Sequence, residues 1–132
     1  MSAGTTPRPK HYRPWYDLNL AHLPPPGLLS IFHRISGALL FFPIVPLLLA
    51  AMQATLGSEE GFARWHGYLA HPLVKLFAIA CAWAYAHHFF AGIRYLLLDV
   101  HWGIAKAPAR TSAIVVIVLG VLAALAFAWR IW

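Results

Sequence analysis

The sequence predicts an all-α integral membrane protein of a single domain that crosses a bilayer three times. Of its 132 residues, 61% are hydrophobic and only 11% charged, and the mean hydropathy is +0.65. A water-soluble chain could not cover its surface with so few polar groups. The apolar residues gather in three runs, each long enough to cross a hydrocarbon core of about 30 Å, which takes about 20 helical residues. The single cysteine, Cys81, falls inside the second run, which excludes a disulfide framework or thiolate metal cage within this chain. Ten Lys and Arg against four acidic residues give +6. In a membrane protein this excess belongs to loops on the cytoplasmic side, so no nucleic-acid partner is expected.

Residues 1–27 read as a polar, proline-containing cytoplasmic segment. They lack the apolar centre of a signal peptide and the Ser- and Arg-rich amphipathic pattern of a transit peptide, so a bacterial inner (plasma) membrane is expected. The first span is expected at about 28–56, starting just after Pro24, Pro25 and Pro26, with a kink where Pro43 and Pro46 each remove a backbone hydrogen bond. Gly57 to Gly67, with Glu59, Glu60 and Arg64, reads as a polar connection. The second span is clearest from Leu76 to Leu98 and is taken as about 72–98, with Pro72 suited to a first helical turn. His101 to Arg110 reads as a short loop. The third span, about 111–131, has almost no polar interruption and reads as lipid-facing or purely structural.

Lys and Arg near short loops stay on the cytoplasmic side. Arg8, Lys10, Arg13 and Arg34 precede or begin the first span, and Arg94, Lys106 and Arg110 surround the loop after the second. These two regions share one side, which places the N-terminus in the cytoplasm. Trp65, Trp102, Trp129 and Trp132 near the span ends suit the interfacial aromatic belts.

Ionisable groups inside a span are costly and therefore mark function by default. Ser30 and Arg34 stand four apart on one face at the mouth of the first span, with His33 on the adjoining face. That face offers donors to an anion or a carbonyl. In the alternative reading Arg34 snorkels to lipid phosphates and Ser30 caps the helix. In the second span, His87 and His88 lie deep in apolar sequence, where a neutral imidazole keeps a lone pair and can serve as an axial haem ligand. His88 shares a face with Ala84, Gly92, Tyr95 and Asp99, and the small Ala84 and Gly92 let a flat macrocycle or another helix come close. His87 points about 100° away, with Ala91 and Arg94. For either histidine an interhelical hydrogen bond serves as well as ligation. The third span has no histidine, and His71 is roughly 25 Å from His88 at 1.5 Å per residue. A bis-histidine haem would therefore take its second ligand from another chain.

Three motifs carry a family resemblance over nearly the whole chain: Arg13-Pro14 followed by Asp17-Leu18, then Ser30-Ile31-x-His33-Arg34-x-Ser36-Gly37, then His88-x-x-x-Gly92-Ile93-Arg94 leading to Leu98-Asp99. The sequence resembles the cytochrome b556 membrane anchors (C subunits) of succinate dehydrogenase, or succinate:quinone oxidoreductase. The resemblance implies a helical bundle shared with a second anchor subunit (D), and one haem b held between them. His88 would be the axial ligand to the haem iron, and His33 and Arg34 would lie near the haem propionates. Ser30 and Arg34 would line a ubiquinone site completed by the iron-sulfur subunit (B). Succinate would be oxidised on the flavoprotein subunit (A), so this chain would have no catalytic residue of its own. Many relatives carry His where this chain has Tyr95. A haem-free structural subunit, or a proton-conducting one using His87, His88 and Arg94, is the alternative.

Overall fold

The computed structural model describes residues 22–132. Arg8, Lys10, the Arg13-Pro14 and Asp17-Leu18 motif and most of the N-terminal segment lie outside the described residues. Helix α1 (Pro25–Leu39) runs through a π-helical turn (Leu40–Ile44) into α2 (Val45–Gly57). A separate helix, α3 (Glu59–Ala70), is followed by the long α4 (Pro72–Asp99) and by α5 (Lys106–Ile131). No strand occurs among the described residues. Three stretches are long and apolar enough to cross a membrane: Pro25–Gly57, Pro72–Asp99 and Lys106–Ile131.

The proline-rich entry behaves differently from expectation. Helix α1 does not wait for the prolines to end: Pro24 is its N-cap residue, and Pro25 and Pro26 occupy the first turn. There a missing N–H removes nothing from the helical ladder. Ser30 therefore lies a full turn inside α1 and does not cap it. The same principle moves the start of α5 back to Lys106, with Pro108 in its first turn, so half of the expected loop is helix. At Pro43 the ring leaves the carbonyl four residues earlier without its usual partner, and the chain widens locally into the π turn.

The segment expected to be a polar connection is also helical. The Ser58 hydroxyl accepts from the Gly61 N–H at 3.0 Å, with Glu59 and Glu60 in the first turn facing the positive helix end. The exposed Glu60–Arg64 pair at 2.9 Å follows one turn later. His71 then ends α3 and caps α4, its Nδ1 accepting from the Leu73 N–H at 3.2 Å. Helix α4 ends in a reverse turn. His101 takes a left-handed φ of 62° and donates its N–H to Leu98, while Trp102 donates to Leu97, the paired bonds that close a helix C-terminus.

Helix α4 is the hub, packing along α5 and against α1. Its buried residues are Ala84, His87, Ala91 and Arg94, and those of α5 are Ala113, Val116, Gly120 and Ala124. Small side chains on both faces let the two backbones approach, which drives helix association where lipid removes the hydrophobic incentive. Outside this seam large apolar residues remain exposed, such as Phe41 at 70% and Phe42 at 73%, as suits a lipid or partner environment. The third span is more than lipid-facing padding: a methyl added at Gly120 would lie 3.3 Å from His87 Cβ and 3.4 Å from its Cα. Gly120→Val is expected to force α4 and α5 apart and cost about 1–3 kcal/mol. Gly67→Ala, with nothing within 4 Å, should be neutral or slightly stabilising; thermal unfolding followed by circular dichroism distinguishes the two.

Candidate functional site

The polar residues of α1 and the end of α4 meet on the same side of the bundle. His88 is the centre of this cluster. Its Nδ1 lies 3.1 Å from the backbone carbonyl of His33 and 3.3 Å from Ser36 Oγ. A carbonyl oxygen only accepts, so the bonded tautomer carries its proton on Nδ1. The lone pair is then on Nε2. Ser36 is fully buried and donates its own hydroxyl to the same His33 carbonyl at 3.0 Å. Helix α1 thus holds the imidazole of α4 by one nitrogen, and the other has no hydrogen-bond partner among the described residues.

Close packing reinforces that placement. A methyl added at Gly37 would come within 2.9 Å of His88 Cε1, nearer than real side chains allow, so the ring occupies the space that only glycine leaves there. Around Gly92, one turn beyond His88, an added methyl would meet nothing within 4 Å. The half-buried His88 therefore rests on helix α1 on one side and adjoins an open strip of α4 on the other. His33 stacks on it, with ring centroids 4.2 Å apart and planes 12° from parallel. Tyr95 lies 5.0 Å from the His33 ring.

His87 has a different environment. It is fully buried, stacked on Trp83 at 5.2 Å and edge-on to Phe32 at 5.9 Å, and among the described residues neither ring nitrogen has a side-chain hydrogen-bond partner. It belongs to the seam among α1, α4 and α5, against Phe32, Trp83 and Gly120. Ala84, expected beside His88, is turned into that seam as well. Among the described residues no group of three or more His, Cys, Asp or Glu side chains could hold a bare metal ion. A single oriented imidazole instead suits an iron that brings its own macrocycle.

At the mouth of α1, Ser30 is half-buried and Arg34 exposed. Neither side chain has a hydrogen-bond partner among the described residues, so both keep their donors free. Arg94 is the opposite case, 6% exposed, with Nε donating to Ser112 Oγ and a terminal nitrogen to the Ala109 carbonyl, both at 3.0 Å. Sequence reasoning missed this clamp because Ala109 sits in the stretch read as loop and Ser112 in a span read as featureless.

These features define a class: a multi-pass membrane protein that presents one fixed imidazole and, at the mouth of the first span, two polar side chains with no partner among the described residues. The comparisons with known proteins narrow the class. The family model described as the succinate dehydrogenase/fumarate reductase transmembrane subunit matches residues 9–127. A protein of Coxiella burnetii (strain RSA 493 / Nine Mile phase I) called succinate dehydrogenase cytochrome b556 subunit is 38% identical over 118 residues, covering 88% of this chain and 93% of that one. The chain belongs to the family of succinate dehydrogenase/fumarate reductase transmembrane subunits.

The two arginines separate by environment. Arg94→Ala removes two charge-assisted hydrogen bonds and buried packing, and should lower stability by about 2–3 kcal/mol. Arg34→Ala should change it by less than about 0.5 kcal/mol. Thermal denaturation of the purified complex measures both.

Proposed function

We propose that this chain is the haem b-binding anchor of a bacterial succinate dehydrogenase, and that it helps carry electrons from the iron-sulfur subunit to ubiquinone in the inner membrane. The observation that carries the reading is the His88 imidazole, held through Nδ1 by the His33 carbonyl. Metal-ligating histidines characteristically donate their second ring nitrogen in this way, which fixes the tautomer and raises the basicity of the ligating one. The residues present fit the group. His88 would hold the iron through Nε2, and the open strip beside Gly92 would leave room for the macrocycle. The second axial histidine then belongs to the second anchor subunit (D). When bound, the haem supplies a one-electron carrier whose potential depends on its axial ligands and their hydrogen bonds.

His33 and Arg34 stand at the same mouth and suit the two propionates, since a guanidinium pairs with a carboxylate in a planar, bidentate way. Ser30 and Arg34 form the chain's share of the quinone site, next to the iron-sulfur subunit (B). Ser30 donates a hydrogen bond to a quinone oxygen, and Arg34 places positive charge where negative charge develops on reduction. The flavoprotein subunit (A) handles succinate, so this chain docks, orients and insulates without touching the dicarboxylate. Exposed Arg34, Lys106 and Arg110 at one end of the bundle favour that end, and with it the N-terminus, on the cytoplasmic side. The proton-conducting alternative gains no support at His87, whose ring nitrogens have no side-chain partner among the described residues.

His88→Ala in the assembled complex should abolish the b-type bands of the reduced-minus-oxidised spectrum, whereas His87→Ala should keep them; bands that survive His88→Ala would sink the ligand assignment. Ser30→Ala and Arg34→Ala should each lower quinone reduction by about ten- to a hundredfold, the equivalent of one lost transition-state hydrogen bond. Succinate oxidation by a soluble artificial acceptor should persist in both. Equal loss of the two activities would point to failed assembly and against a quinone site.

A further inference from the structure

The hydrogen bond from His88 Nδ1 to the His33 carbonyl decides which nitrogen is free and restrains the ring, but a hydrogen bond of ordinary length still leaves the ring plane some swing. Torsion about the last bond of a histidine side chain is broad, so the plane of the ring needs a second constraint. A stacked column provides it. His33 lies face to face with His88 at 4.2 Å and 12°. Tyr95 braces His33 at 5.0 Å and 45°. The Arg94 guanidinium lies 5.5 Å from the Tyr95 ring centroid, within reach of a cation–π attraction. Arg94 is itself immobilised on α5 by Ser112 and the Ala109 carbonyl. The column therefore begins on α5 and ends on the face of the imidazole.

We propose that Tyr95 is a positioning residue: with Arg94 behind it, it holds His33 flat against His88 and so sets the plane of the axial imidazole. This rests on His88 being the haem ligand. The orientation of an axial imidazole plane determines how the iron d orbitals of a low-spin haem split, and so shows directly in its electron paramagnetic resonance spectrum. Ring contact is what matters, because His33 meets the Tyr95 ring and no hydrogen bond of the Tyr95 hydroxyl to His33 or His88 takes part.

The test compares Tyr95→Phe and Tyr95→Leu in the four-subunit complex, with haem content measured against flavin. Tyr95→Phe keeps the ring and should retain the wild-type low-field g value and haem midpoint potential. Tyr95→Leu should keep its haem but show a shifted and broadened low-field g signal, with a displaced potential. A wild-type spectrum from Tyr95→Leu overturns the proposal, as does an equal shift in Tyr95→Phe, which would transfer the effect to the hydroxyl. If Tyr95→Leu loses haem or fails to assemble, Ser112→Ala decides. It loosens the Arg94 end without removing a ring and should shift the signal in the same direction by a smaller amount; an unchanged spectrum there overturns the proposal. Failure of the ligand assignment is separate, and would appear as haem retained in His88→Ala.

Discussion

A bilayer gives apolar helices no reason to leave lipid for one another, and that constraint organises this chain. Association has to come from close backbone approach and from polar groups that find partners within the protein. Helix α4 meets both requirements on one face. Ala84 and Ala91 admit α5 closely, and Arg94 reaches across to bond Ser112 and the Ala109 carbonyl. The neighbouring face is turned to α1, where the His88 imidazole takes the same role with the His33 carbonyl. The groups that hold the bundle together are thus the groups that orient its chemistry.

Much of this was legible in the residues. Three apolar runs imply three spans, and the rarity of polar and ionisable groups inside them draws attention to Ser30, His33, Arg34, His87 and His88. The i, i+4 spacing rule also separated the His88 face from the His87 face. It could not say which face meets a neighbour within the chain, because that depends on where α5 lies. Gly120, an ordinary glycine in an apolar run, settles it by giving His87 a backbone to press against. Gly37 is the same kind of hidden signal, since its meaning appears only once the His88 ring is seen above it.

The misreadings have physical causes too. Charges at Glu59, Glu60 and Arg64 suggested a loop, yet on α3 they form a capped first turn and a one-turn ion pair, an amphipathic helix at the membrane boundary. The prolines at Pro25, Pro26 and Pro108 suggested helix limits but lie in first turns, the one helical location that does not need their missing N–H. The His33 ring, which the resemblance ties to the propionates, also stacks on His88.

The π turn at Leu40–Ile44 divides the first span into unequal halves. Before it, α1 is tied to α4 and α5; after it, α2 packs on α3 and leaves an apolar cavity of about 740 Å³ between itself and the outer halves of α4 and α5. The molecule is built like a pair of tongs, with its fulcrum at Pro43. Pro43 thus separates the half of the first span that contacts His88 from the half that borders the cavity, so each half meets its neighbours in its own register.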